Sequence, residues 1–294
     1  MKEAFVDRKF SNGNLKLIDV ANQIIFEYQA HSLTLTLRQL YYQFVARDHI
    51  PNTMQSYKRL GSIINDAQLA GLIDWDPIED RTKNLASLGH WDNSGDIIRS
   101  ARASFRIDKW AGQEYRPEVW IEKEALTGVI QPVCNKLDIS YFACRGYVSQ
   151  SEMYSAANRL IRHSEDGQIP VIIHLGDHDP SGIDMSRDIS DRIEMFRRDS
   201  DFIFIRIALN MDQVDEMNLP PNPAKTTDSR FAQYITRFGA ESWELDAIDP
   251  IRLRELIEKT VLEYGNDEKY SEALDREEDY VDVLKRIEKN WKSL

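Results

Sequence analysis

Apolar residues recur at helical spacing in LKLIDVANQIIFEYQA (15–30) and again in LRQLYYQFVARD (37–48), so the chain opens with two predicted helices. IPN interrupts the pattern. With Asn52 or Thr53 as the cap, a third helix is predicted through SYKRLGSIINDAQLAGL (56–72). The polar stretch IDWDPIEDRTK (73–83) carries Pro77 and suits a hairpin. Three helices and a ribbon predict a winged helix-turn-helix unit whose third helix faces DNA.

Residues 84–115 read as a connection with one more helix, DIIRSARASFRIDKW (96–110). Beyond it the period changes. Four short apolar runs follow, EVWIE (118–122), ISYFA (139–143), PVIIHL (170–175) and DFIFIRIAL (201–209), and an amphipathic helical stretch follows each of the first three. That alternation predicts a parallel sheet covered by helices. From Asn210 come a Pro-rich turn (LPPNPAK), the stretch GAESWELDAI and two charged helices, with no internal repeat. The expected class is α/β: a winged-helix domain over 1–83, a helical connection over 84–115, a Rossmann-like domain over 116–210, and a helical extension over 211–294 that packs on the sheet domain.

The chain of 294 residues carries a net charge of −12, which at first argues against nucleic acid, because phosphate binding draws its strength from cations. The distribution matters more. Much of the excess acid lies in the last fifty or so residues, as in LDREEDYVD, whereas Arg38 to Lys109 is close to neutral and rich in arginine. No apolar run approaches the roughly 18 residues that span a bilayer, and the N-terminus lacks a signal-peptide pattern. The expected setting is cytoplasmic and away from membranes, nucleoid-associated in a bacterium or phage. Cys134 and Cys144 make neither a disulfide framework nor a zinc site and read as semi-buried small residues.

In open parallel sheets, ligands bind beyond the carboxyl ends of the strands, and three acids fall there. Glu122 ends the first strand, and Asp177 and Asp179 follow the third in HLGDHDPSGIDM (174–185). Residues two apart in extended chain point the same way, so the aspartates can converge; converging carboxylates repel unless a cation holds them, and oxygen ligands suit magnesium. The alternative is that Asp179 caps a helix starting at Pro180 while Asp177 is a solvated turn residue. Asp184 reads as a surface acid, and His174 and His178 as packing residues or as supports behind the acids.

On a helical wheel Leu37, Leu40, Tyr41, Phe44 and Val45 form the core stripe, while Tyr42 falls off it beside Arg38, one turn earlier. An exposed phenol next to a guanidinium suits phosphodiester transesterification, with phenol attacking phosphorus and guanidinium stabilising the phosphate charge. The plainer alternative is a rim tyrosine and a surface arginine. Lys58, Arg59, Arg81, Lys83 and Arg145 are candidates to track a DNA backbone, and Glu244 in SWELDAI is a candidate to approach the acids.

WIEKEAL, CRGYVSQ and LGDHDPSGIDM, in this order and spacing, resemble the Toprim domain of topoisomerases, primases and certain nucleases. The version they resemble most is that of the topoisomerase VI A subunit and the related meiotic double-strand-break protein. The resemblance spans roughly residues 30 to 210 and implies a CAP-like winged-helix domain before the Toprim domain. It implies Glu122, Asp177 and Asp179 as ligands of magnesium, with manganese as a substitute, and a catalytic role for Glu122. LRQLYY matches the family motif in which an arginine precedes the nucleophilic tyrosine by four, implying Tyr42 rather than Tyr41. A homodimer on double-stranded DNA, with the tyrosine of one chain reaching the metal site of the other, is implied as well. So is a separate ATPase (B-like) subunit for strand passage. Val148-Ser149 stand where the family usually has a proline soon after the glycine turn.

Three functions are therefore expected in competition: a transesterase leaving 5′-phosphotyrosyl breaks, a hydrolytic Toprim nuclease of a plasmid-restricting or phage-defence system, and a non-catalytic DNA-binding protein.

Overall fold

A computed structural model describes residues 2–31, 33–78 and 90–291. Helix α1 (Asn12–Gln29) is capped by the Ser11 hydroxyl, α2 (Leu37–Ala46) by a reciprocal Thr36/Gln39 capping box, and α3 (Met54–Leu69) by Thr53. Their inward faces, including Ile24, Leu40, Phe44, Leu60 and Ile64, bury one another in a single N-terminal core. The hairpin expected over 73–83 lies partly outside the described residues. Its described part makes one bridge, between Ile78 and Leu35.

Helix α4 (Ser94–Ser104) stops short of the predicted end at Trp110. Phe105 turns extended, and Trp110 is buried in the sheet core, where its indole N–H donates to the Leu137 carbonyl at 2.7 Å. Tertiary burial of the largest side chain thus overrides a favourable helical pattern.

The sheet comprises β1 (Tyr115–Ile121), β2 (Ser140–Ala143), β3 (Ile169–Leu175) and β4 (Ile203–Ala208), with α5 (Thr127–Leu137), α6 (Gln150–Glu165) and α7 (Pro180–Phe196) between them. All pairs are parallel, in the order β2-β1-β3-β4. The central strands bury both faces, as parallel strands must. Val119, Ile121, Val171 and Ile173 pack on the side of α5, and Trp120 and Ile172 on the side of α6 and α7. Because the chain leaves β1 for β2 in one direction and proceeds through β3 to β4 in the other, a crevice opens at the carboxyl ends of β1 and β3.

The C-terminal part adds α8 (Met211–Met217), the short antiparallel pair β5 (Asn222–Pro223) and β6 (Glu241–Ser242), and α9 (Phe231–Phe238) between those two strands. It ends with α10 (Pro250–Leu262) and α11 (Asp267–Asn290). This part was expected to pack on the sheet domain, and α10 does so through Leu253, Ile257 and Val261. The segment before α10 does more. Ala247 is buried in the N-terminal core with Leu219 and Ile251 against it, Tyr28 donates its hydroxyl to Asp249, and Asn52 Nδ2 donates to the Pro221 carbonyl at 2.9 Å. The two cores are joined through residues 219–251.

The turn from β3 into α7 is tight enough to require glycine. A Cβ on Gly182 would lie 2.2 Å from the Asp177 carbonyl oxygen. Gly182→Ala is expected to lower the unfolding free energy by about 2 to 3 kcal/mol. Gly13→Ala, where a Cβ meets nothing within 4 Å, should raise it by up to about 1 kcal/mol. Urea midpoints at unchanged slope check both.

Candidate functional site

Glu122 leaves β1, and its backbone N–H donates to Leu175 O at 2.8 Å, holding the ends of β1 and β3 together. The Asp177 N–H donates to Glu122 Oε2 at 2.9 Å. Gly176 and Gly182 make room for that carboxylate, since a Cβ at either would stand 2.9 or 3.1 Å from Oε2. Asp177 Oδ1 accepts from the Leu245 N–H at 2.7 Å and from Lys123 Nζ at 2.9 Å. Asp179 caps α7, with Oδ1 accepting from the Gly182 N–H at 2.6 Å and the Ser181 hydroxyl at 2.8 Å. Asp179 does cap α7, whereas Asp177 is buried rather than the solvated turn residue of the alternative.

Each carboxylate keeps its other oxygen, Glu122 Oε1, Asp177 Oδ2 and Asp179 Oδ2, without a hydrogen-bond partner among the described residues. Burial, and then the charge of Asp177, push the Glu122 carboxyl up to about 7. Asp177 is also raised, chiefly by burial, with Lys123 opposing. No three His, Cys, Asp or Glu side chains among the described residues are disposed to enclose a metal. The donors are hard oxygens, and such a set suits magnesium, which retains several waters and takes only one or two carboxylates.

Arg206 lies beneath these acids, although nothing but its interruption of the apolar run DFIFIRIAL marked it in the sequence. Its guanidinium donates to the carbonyls of Gly176 at 2.9 Å, Asp177 at 2.6 Å and Gly182 at 3.1 Å, and to the Ser186 hydroxyl. Burial lowers its pKa to about 10, and Glu122, Asp177 and Asp179 oppose that shift. The histidines have packing roles, as expected. His174 is fully buried against Phe204 and depressed to about 3 by burial; His178 packs among Tyr234, Phe238 and Trp243 and is depressed to about 4, again chiefly by burial. Asp184 is ion-paired with Arg187 and Arg230. Both cysteines are buried free thiols, more buried than expected.

Tyr42 departs from the expectation that it is exposed: it is 3% accessible. The wheel identified the face that α2 turns toward the N-terminal helices, but residues some two hundred positions later cover the other face. Residues 39–45 are all buried as a result. The Tyr42 hydroxyl receives a hydrogen bond from Asn222 Nδ2 at 3.3 Å and sits on a cavity of about 80 Å³ lined also by Arg38, Asn52, Tyr57 and Glu244. Burial is the main cause of its raised pKa, reinforced by Glu244 and opposed by Asn222 and Arg38.

Arg38 Nη2 donates to Glu244 Oε2, and Arg38 Nε lies 3.5 Å from Asp246 Oδ2. Lys123 Nζ reaches Glu244 Oε2 at 3.0 Å, Asp246 Oδ2 at 2.8 Å and Asp177 Oδ1 at 2.9 Å. An alternating row of charges therefore runs from the tyrosine cavity to the acid crevice within one chain. Glu244 was anticipated near the acids. Lys123 and Asp246 were missed, because no local spacing connects residues so far apart. Lys58 and Arg59 lie exposed on α3, Arg145 is exposed and paired with Glu124, and Arg81 and Lys83 lie outside the described residues. In the glycine turn, Arg145 and Gly146 both take positive φ, 52° and 86°.

The chain matches no known family model and no curated protein sequence.

The Glu122 carboxyl titrates near 7 when folded against an ordinary 4.5, so the folded state holds the extra proton between those values. Its stabilisation is complete below about pH 4.5 and is lost as pH rises through about 7. In metal-free buffer, wild type should lose on the order of 2 kcal/mol relative to Glu122→Gln between about pH 5 and 8. Denaturant unfolding of both proteins across that range measures it; a constant difference contradicts the assignment.

Proposed function

We propose that this protein is a magnesium-dependent DNA-cleaving transesterase similar to the topoisomerase VI A subunit, with Tyr42 forming a 5′-phosphotyrosyl bond. In this reading α1–α3 act as a winged-helix domain that offers Lys58 and Arg59 to the DNA backbone, and β1–β4 with their helices act as a Toprim domain. The observation that carries it is the joining of a tyrosine–arginine cavity to a three-carboxylate crevice at the sheet's switch point, through Glu244 and Lys123.

The Tyr42 oxygen forms a bond to phosphorus, the P–O3′ bond breaks, and the proton leaving the phenol ends on the departing 3′ oxygen. One phosphodiester replaces another, so the chemistry is reversible without ATP. Arg38 supplies positive charge at the phosphate. Glu122, Asp177 and Asp179 would hold a magnesium ion, which when bound supplies Lewis-acid activation of a phosphoryl oxygen. Arg206 fixes the backbone that carries two of those acids. Arg38 is already bonded to Glu244, so a phosphate reaching Arg38 competes with that carboxylate.

One observation favours a second reading, a hydrolytic Toprim nuclease in which water replaces the phenol. Tyr42 is buried and its proton is held more tightly than that of a free phenol.

Incubation with internally labelled supercoiled DNA and magnesium, followed by detergent denaturation, separates the two. Covalent attachment of protein to DNA is expected, falling at least ~100-fold in both Tyr42→Phe and Asp177→Ala. Free ends that survive Tyr42→Phe but not Asp177→Ala establish the nuclease instead. Glu244→Gln should tighten DNA binding about fivefold or more in a filter-binding titration, because it removes the competing charge from Arg38.

A further inference from the structure

A cleft of about 710 Å³ opens at the amino ends of β1 and β2, walled by the end of α5 and by Tyr270 and Leu274 of α11. Small-molecule sites occupy roughly 300 to 1,000 Å³. Strands β1 and β2 run parallel, so the cleft lies at the opposite end of the sheet from Glu122. The length of β1 puts roughly 20 Å between them. The cleft shares no lining residue with the tyrosine cavity.

Its charge runs against that of the whole chain, −12, because four bases line it against three acids. Each acid is engaged. Asp108 pairs with Arg116, Glu277 accepts from the Lys109 ammonium and the Ile107 N–H, and Asp138 accepts from the Lys109 backbone N–H. Lys136 pairs with Glu258 of α10, outside the cleft. Arg106 has no carboxylate at ion-pair distance among the described residues. It donates through Nη1 to the carbonyls of Ala103 and Phe105, which leaves Nε and Nη2 free to donate.

Lys109 holds further unused donors. Its side chain is 5% exposed and its ammonium carries three N–H groups, yet Glu277 is its one hydrogen-bond acceptor among the described residues. Asp138 Oδ2, at 3.9 Å, is too far to accept. Buried donors find acceptors, so the remaining protons call for an oxygen in the cleft. The end of α5 offers little opposition to an anion there. A helix carboxyl end is ordinarily negative. Here the Cys134 carbonyl accepts from the Ile139 N–H at 3.0 Å, that of Lys136 from the Tyr270 hydroxyl at 3.3 Å, and that of Leu137 from the Trp110 indole at 2.7 Å. A guanidinium edge and an ammonium with two open protons match the three terminal oxygens of a phosphate monoester better than the two of a carboxylate. Tyr270, Leu274 and Ile139 add apolar surface beside the charges.

We propose that this cleft binds a small phosphate monoester carrying a flat apolar group, the chemistry of a mononucleotide, with Arg106 and Lys109 on the phosphate and Tyr270 and Leu274 against the ring. It rests on none of the chemistry proposed above and holds equally for a transesterase, a nuclease or a non-catalytic protein.

Equilibrium dialysis of the full chain against labelled AMP in metal-free, low-salt buffer tests it. AMP is expected to fill one site per chain, with inorganic phosphate competing at least ~10-fold more weakly and adenosine not competing. Arg106→Ala should weaken AMP ~10-fold, and Leu274→Glu should abolish binding by setting an acid on the wall. Both side chains are exposed, so circular dichroism and the thermal midpoint should be unchanged. Arg59→Ala, at an exposed arginine on α3, should leave the affinity as it is. No AMP bound at millimolar concentration, binding that survives Arg106→Ala and Leu274→Glu, a loss equal in Arg59→Ala, or competition by adenosine or phosphate as strong as by AMP would each overturn the proposal.

Discussion

The Lys123 ammonium has carboxylate oxygens of Asp177, Glu244 and Asp246 within 3.0 Å, and Arg38 shares two of those acids from the other side. These residues come from four parts of the chain: α2, the end of β1, the turn after β3, and the segment after β6. Removing either cation would leave buried acids facing each other without compensation, a costly state in a low-dielectric setting. The row of charges therefore fixes the separation between the tyrosine cavity and the acid crevice. It fixes their electrostatics too, because Arg38 and Lys123 carry two positive charges against the three negative charges of Asp177, Glu244 and Asp246.

Excess negative charge continues into the crevice. Glu122, Asp177 and Asp179 are held by backbone donors and by Arg206 below, yet Arg206 gives its hydrogen bonds to carbonyls and a hydroxyl rather than to the acids. It shapes the loop more than it neutralises it. The raised Glu122 carboxyl is the consequence, and a site that holds an uncompensated proton near neutrality is one a divalent cation can enter by displacing that proton.

Much of the architecture was legible in the sequence, because it rests on local rules. The alternation of apolar runs and amphipathic helices located all four strands of the sheet, β1 to β4, within a few residues, and the acids at the ends of β1 and β3 followed from strand direction alone. Thr53 was one of two caps anticipated for α3. The failures have a common cause in long-range burial. Trp110 looked like the end of a helix until the sheet core claimed it. Tyr42 looked exposed because the segment that covers α2 lies some two hundred residues downstream. Asp246 and Lys123 had no signal of their own, since an ion pair between distant residues leaves no periodic trace.

The central claim is that Arg38 and Lys123 belong to one electrostatic unit joining the two halves of the site. A double-mutant cycle on unfolding free energy, with Arg38→Gln, Lys123→Gln and the pair, tests it most directly. The account predicts a coupling of about 1 kcal/mol or more in magnitude, as for residues that share partners in one network; effects that add to within about 0.3 to 0.5 kcal/mol would contradict it.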